Sequence, residues 1–448
     1  MTSHTDAVRL QLAKGPMQAR QLVEIMGISQ PTVSRTLSAL GTEVVRIGAG
    51  RSIQYALRDR LRGVDEIPVY RISPEGTARA LGVLTPVRPD GFVMCQSDGQ
   101  TIHSDGLPWW LFDMRPQGYL GRAYAHQHAS ALGLPTQLHE WTDTHALHAL
   151  LAHGHDAVGN VLLGDRALNT FLCQAIPQAV AENDKARAYT RLAEEAARGD
   201  TPGSSAGGEQ PKFLVLAETP EGPKHLIVKF TVAEESPVSM RWRDLLLGEH
   251  LALNALRRAG LPAAQTRVLD VAGQRFLEVE RFDRTGALGR RGLLSLKALD
   301  AEFVGAGQGW TTITRALTAQ KHIDPLALDQ VALLQAFGVL IGNTDMHTGN
   351  LSFMSEHGRP YTLAPAYDML PMAFAPSSSG SMAAQLPEAT IHPSIAPATW
   401  QRALQLAKDY VTVLQSHPGL SPAFTPCRVT LQQHLAAATQ KIERLDID

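Results

Sequence analysis

Two carboxylates and an amide stand out after residue 341. In Gly342-Asn-Thr-Asp-Met-His-Thr-Gly-Asn350, Asp345 precedes Asn350 by five positions, and Asp368 in LAPAYDMLP follows Asn350 by eighteen. Phosphoryl transfer uses a carboxylate to accept the proton of the acceptor hydroxyl, with an amide five residues on and a later Asp to hold Mg²⁺. Asp345 suits the first role, and Asn350 and Asp368 the second. The nucleotide must also be gripped, which takes backbone amides that approach phosphate and a cation on a strand. The loop Ser204-Ser-Ala-Gly-Gly-Glu-Gln-Pro-Lys212 offers Ala206, Gly207, Gly208, Gln210 and Lys212, while HLIVKF ends a strand pattern on Lys229. No G-x4-G-K-[ST] occurs there, so the loop is not a Walker A motif. A strand Lys of this kind is oriented by a helical carboxylate, and Glu249 in RWRDLLLGEHLALNAL fits, with Asp244 as its rival. Singly, these features read as a plain loop, a solvated Lys and a helix end. Their order from 204 to 368 is what carries the reading.

A second chemistry lies at the other end of the chain. Residues 1–60 hold eight Lys or Arg against four Asp or Glu. Gln18 to Met26 has helical apolar spacing, Gly27 offers a left-handed turn, and Ser29 can cap a second helix ending before Gly41. In that helix Val33, Leu37 and Leu40 share one face, leaving Gln30, Pro31, Thr32, Arg35 and Ser38 outward. Small polar groups with one Arg suit a helix reading base edges in a major groove. VVRIGAGRSIQYAL then alternates about Gly48-Ala49-Gly50 as a hairpin does, with Arg46 and Arg51 near the tip to meet phosphate. The plain alternative is a docking bundle with a solvated basic face. SQPTVSRTLSAL followed by the basic hairpin resembles the winged helix-turn-helix families of bacterial regulators over residues 5–58.

The elements that position these groups follow from periodicity. Strands are expected at Phe213–Ala217, Leu226–Phe230 and Arg275–Glu280, a helix from about Arg241 to Ala259, and mostly helix after Leu326. Residues 61–200 read as a small β-rich unit, punctuated at Gly91, Asp98-Gly99 and Asp105-Gly106, then helix from 143. Three domains are expected: 1–62, 63–280 and 281–448. With 44% hydrophobic and 19% charged residues and a formal net charge of -2, any DNA affinity must be local. Three dispersed cysteines, Cys95, Cys173 and Cys427, imply reduced thiols and a cytoplasmic protein. No secretory signal is evident, and Val331–Ile341 is too short to span a membrane, which takes ~20 residues.

SSAGGEQPKF, HLIVKF, VERFDR, GNTDMHTGN and LAPAYDMLP together resemble the HipA-like serine/threonine kinases of bacterial toxin-antitoxin systems, from about residue 65 to the C-terminus. The fused N-terminal module is similar to the YjjJ (HipH) branch. That resemblance implies an α+β architecture, a winged helix-turn-helix followed by a bilobal kinase-like fold with a mixed N-lobe and a helical C-lobe. It implies ATP and Mg²⁺ as cofactors, Lys229 on the phosphates, and Glu280, Arg281 and Phe282 as the hinge beside adenine. His347 to Asn350 and Tyr367 to Leu370 would lie near ATP, and Ser204 or Ser205 would be autophosphorylated. The partners implied are a protein substrate and DNA, with a homodimer and a separate antitoxin left open. Two other readings remain: a nucleotide-sensing repressor with an inactive kinase fold, and a Mg²⁺ nuclease, which leaves the Gly-rich loop and strand Lys unexplained.

Overall fold

The structure, a computed structural model, describes residues 4–198, 210–377, 380–382 and 385–445. Ser204, Ser205, Ala206, Gly207 and Gly208 lie outside them, as does the Arg51 side chain.

The N-terminal module has α1 (His4–Leu12), β1 (Met17–Gln18), α2 (Ala19–Met26), α3 (Gln30–Leu40), β2 (Val44–Ile47) and β3 (Gln54–Leu57). Gln18 caps α2 rather than opening it, its N–H donating to Gln21 Oε1 at 2.8 Å. Gly27 adopts φ 64°, the left-handed conformation an L side chain resists, and so turns the chain sharply into α3. Ser29 Oγ accepts the Thr32 N–H at 3.4 Å, supplying one of the hydrogen bonds a helix start lacks. Val8, Leu12, Leu22, Val33, Leu37 and Leu40 close the core over one face of the sheet β1-β3-β2.

The other face of that sheet is also covered. Val45, Ile47 and Ala56 pack on Val87 and Val93 of the next unit. That unit comprises β4 (Ile67–Ile72), β5 (Ala78–Val87), β6 (Gly91–Gln96), β7 (Thr101–Ser104), α4 (Gly118–His128), α5 (Asp143–His153), β8 (Val161–Leu163) and α6 (Gly164–Cys173). Its antiparallel sheet runs β7-β6-β5-β4-β8. Helix starts at Gly118, earlier than the expected 143, because Gly and His in GYLGRAYAHQH blur the periodicity. The joint between the two units is pinned: buried Asp59 accepts Arg88 Nε at 3.0 Å and Arg62 Nε at 3.1 Å.

The third unit opens with α7 (Lys185–Arg198), then β9 (Lys212–Thr219), β10 (Gly222–Phe230), α8 (Pro237–Arg258), β11 (Thr266–Val271) and β12 (Gln274–Glu280), in sheet order β11-β12-β10-β9. Strand alternation decides what each face sees. Leu226, Val228 and Phe230 pack under Tyr189 and Ala193 of α7, so Ile227 and Lys229 point to the α8 side. The expected span 63–280 therefore holds two sheets with separate cores.

The helical part follows: β13 (Arg284–Thr285), β14 (Gly289–Arg290), β15 (Leu293–Ser295), α9 (Leu296–Phe303), α10 (Trp310–Ala319), α11 (Pro325–Leu340), β16 (Ser352–Met354), β17 (Thr362–Leu363), α12 (Pro397–Ser416) and α13 (Thr425–Arg444). The architecture is α+β, with a large core around Phe337, Trp400, Tyr410 and Leu431. Helix α8 is buried on several sides, since Leu246 meets the four-stranded sheet and Leu245 and Leu253 meet the helical core. Among the described residues no helix is long and apolar enough to cross a membrane.

An unpaired carboxylate buried at the seam between the first two units would cost several kcal/mol. Val45→Asp is therefore expected to speed limited proteolysis between residues 57 and 66 while the third unit and the helical part keep their melting temperature. Unchanged cleavage would mean the seam does not hold in solution.

Candidate nucleotide site and DNA-facing helix

Lys229 is the centre of a buried ion-pair cluster. It sits near the end of β10, opposite Lys212 on one side and Leu277 on the other. Its Nζ donates to both Glu249 oxygens at 2.7 Å and also to Asp368. Glu249 is fully buried on α8. Asp244 goes elsewhere, accepting the Ser421 N–H at 2.8 Å and the Ser421 Oγ–H at 2.6 Å, so of the two rivals it is Glu249 that meets the lysine.

Burial alone would lower the Lys229 pKa, but Asp368 and Glu249 outweigh it and hold the ammonium above its usual range. Burial likewise pushes Asp368 up, and Lys229 with Lys212 outweighs it, leaving the carboxyl below its usual range. Glu249 is raised by complete burial, which Lys229 only partly offsets. With both oxygens at hydrogen-bond distance, the charged Lys229 is the form that satisfies them.

The segment after α11 is folded by its own polar atoms. Asn343 Oδ1 accepts the Asp345 N–H at 3.1 Å, and Asn343 Nδ2 donates to the Asp368 carbonyl at 3.2 Å. Asn350 Nδ2 donates to the Asp345 carbonyl at 2.9 Å. Tyr367 OH donates to the Gly349 carbonyl and meets Ser352 Oγ, both at 2.8 Å, while Trp310 Nε1 reaches the His347 carbonyl at 3.1 Å. Gly338 of α11 lets the loop approach, because a Cβ there would overlap the Met346 sulfur. The result leaves Asp345 and His347 exposed and Asn350 buried. Partial desolvation raises the Asp345 carboxyl, with Asp368 adding to it and His347 opposing.

Asn343, Trp310 and Ser352 have no role in the sequence reading. Asn343 had a signal: it is a polar residue two positions before the candidate base, directly after an apolar helix. Trp310 and Ser352 had none, since only the fold brings them to the loop. Phe282 and Tyr367 approach with ring centroids 5.8 Å apart. Glu280 accepts Lys224 Nζ at 2.7 Å. The expected place of Arg281 beside adenine is not met by its side chain, which is buried against Asp283 with two hydrogen bonds of 3.0 Å, while its backbone N–H donates to the His225 carbonyl at 2.9 Å. Gln210 has a buried amide nitrogen with no hydrogen-bond partner.

A hard cation prefers oxygen donors, and the carboxylate of Asp368 with the amide oxygen of Asn350 supplies them. Asn350 Nδ2 is already bound to the loop, which leaves its Oδ1 for a ligand. This donor set fits Mg²⁺, and Lys229 with Lys212 fits the phosphates it would accompany.

On α3, Gln30, Arg35 and Ser38 are exposed, as expected. Thr32 is half-buried, its hydroxyl 2.9 Å from Ser29 Oγ, so it serves the helix cap. Arg46 is exposed on β2. The hairpin does not project freely: Gly48 N–H donates to Thr101 Oγ1 of β7 at 2.6 Å.

Known proteins share the domain organisation of this chain. Residues 63–172 match the model "YjjJ-like toxin, middle domain", 204–417 match "HipA-like C-terminal domain", and 10–43 match "Bacterial regulatory protein, arsR family". The chain is 37% identical over 437 residues to Toxin YjjJ of Escherichia coli K12, covering 97% of this chain and 98% of that protein. HipA in the Shewanella oneidensis MR-1 complex of HipA, HipB and operator DNA superposes with a TM-score of 0.55 at 16% identity, covering 84% of this chain and 97% of that one.

Removing one partner of a buried ion pair leaves the others uncompensated. Lys229→Met is expected to lower the unfolding free energy by about 3 kcal/mol, read from denaturant melts followed at the kinase-like part. A loss under about 1 kcal/mol would show that water already satisfies Glu249 and Asp368.

Proposed function

The chain belongs to the YjjJ branch of the HipA-like toxins, and we propose that it is an ATP- and Mg²⁺-dependent serine/threonine protein kinase with a fused DNA-binding domain. The observation that carries this reading is Lys229 bridging Glu249 and Asp368, with Asp345 exposed on a loop pinned to Asp368 through Asn343. Lys229 orients and neutralises phosphate oxygens. Asp345 accepts the proton of a Ser or Thr hydroxyl. Asn350 and Asp368 would hold Mg²⁺, which would supply positive charge to offset that of the phosphates. Glu280 to Phe282 would flank the base, and His347 and Tyr367 would lie near the nucleotide. Ala206, Gly207 and Gly208 would cover the phosphates, and Ser204 or Ser205 would be the autophosphorylation site. The alternative, a nucleotide-sensing repressor, finds less support because no member of the Lys229, Asp345, Asn350 and Asp368 set is missing.

Asp345→Asn is expected to fold and bind nucleotide like the parent but lose transfer, since only the proton acceptor changes. Labelled ATP with Mg²⁺ and mapping of the product reads this out. Equal autophosphorylation by the variant would remove Asp345 from the role.

DNA binding is proposed for the exposed edge of α3, with a cytoplasmic location and a separate antitoxin as open partners. One recognition helix contacts few base pairs, so binding as a dimer is expected, with half-sites ~34 Å apart or a multiple of that. Arg35→Ala should relax sequence preference, whereas Arg46→Ala should weaken all sequences alike and reduce the salt slope by about one. Salt titrations on promoter and random DNA separate the two. Identical losses for both variants on both DNAs would reassign Arg35 to a phosphate.

A further inference from the structure

The turn that flanks the base has two sides. Phe282 meets the Tyr367 ring, while its neighbours Arg281, Asp283 and Arg284 are buried against the middle unit. Asp283 accepts Arg281 Nε and Nη2 at 3.0 Å each, Arg284 Nη1 at 2.6 Å and the Gly159 N–H at 3.1 Å. Arg284 continues to Asp156 Oδ1 at 2.8 Å and to the carbonyls of Asp156, Ala157 and Gly159 at 3.2, 2.9 and 3.2 Å. One guanidinium thus holds a whole turn of the middle unit by its backbone as well as by charge.

The charges in this seam do not balance. Three guanidiniums, those of Arg281, Arg284 and Arg290, are buried around the two carboxylates of Asp156 and Asp283. Arg290 lies 4.9 Å over the Phe171 ring, and its Nε and Nη1 have no hydrogen-bond partner. Burial and the neighbouring Arg284 pull it down to about 9. The Asp156 side chain stays 48% exposed, and there the desolvation cost is outweighed by Arg284, Arg281 and Arg290, which bring its carboxyl to about 2. Neutralising Asp156 would leave three cations against one anion and weaken the charge-assisted hold of Arg284 on this turn, a change that falls first on the 283–284 backbone. Phe282 shares that backbone.

We propose that Asp156 of the middle unit is a positioning residue for the base end of the nucleotide site, acting through Arg284 and Asp283 to fix the 280–282 backbone against Tyr367. The inference rests on the kinase reading above. Its test uses the full chain and AMP-PNP with Mg²⁺ in titration calorimetry, alongside steady-state kinetics with ATP. Asp156→Asn is expected to weaken AMP-PNP binding ~5- to 10-fold and raise KM for ATP equally, with kcat within about twofold. Asp156→Glu, which keeps the charge, should recover most of the affinity. A merely structural role would lower the melting temperature and the active fraction yet leave the affinity of the folded protein unchanged. Parent-like affinity in Asp156→Asn overturns the proposal while the kinase reading stands. No AMP-PNP binding by the parent overturns both. Should Asp156→Asn not fold, Arg284→Lys keeps the charge but loses the fork, and a parent-like KM there overturns the proposal equally.

Discussion

A single ammonium group ties three parts of the chain together. Lys229 belongs to the four-stranded sheet, Glu249 to the buried helix α8, and Asp368 to the segment beyond the loop that follows α11. None of the three could stay ionised in that setting alone, because burial penalises each charge by several kcal/mol. Together they compensate one another, and the geometry that lets them do so is also the one in which a nucleotide's phosphates would find a cation. Strand alternation puts Lys229 on the α8 face, and the apolar surroundings of α8 prevent Glu249 from relaxing toward water. Stability and site are therefore the same constraint in this cleft.

The middle unit bears on both halves of the kinase-like part. Tyr119 OH donates to the Ala196 carbonyl of α7 at 2.8 Å, Asp113 accepts the Ser295 N–H ahead of α9 at 2.6 Å, and Trp109 packs edge-on to Phe303 at 5.1 Å. Added to the Asp156–Arg284 contact, these place one unit across the sheet, the turn after it and the helical part. Any motion of one half against the other must slide or carry this unit.

Much of the cleft was legible because its signals are local. Lys229, Asp345, Asn350 and Asp368 each sit in a short segment whose apolar flanks announce a strand or helix end, and their order is independent of the exact fold. The two helices of the DNA-facing module were legible for the same reason, with Gly27 and Ser29 marking the turn. What could not be read depends on distant contacts. Strand β8 returns to pair with β4 some ninety residues downstream, as Val69 opposite Leu163 shows, and no local pattern encodes such a partner. Arg281 was expected at the cleft, but whether its side chain turns toward Phe282's side or away is decided by Asp283 and by a turn more than a hundred residues earlier. The choice between Asp244 and Glu249 was of the same kind, settled by Ser421.

The covered outer face of the small N-terminal sheet has a consequence for anyone who would excise it. A fragment ending near residue 62 would present Val45, Ile47 and Ala56 to water as a contiguous apolar patch and would strip Asp59 of its Arg88 partner. Such a fragment is prone to self-association through a surface that the intact polypeptide never displays. A dimer or a nonspecific DNA complex observed with it would report on the cut, and a soluble excised module would need polar residues grafted at those three positions.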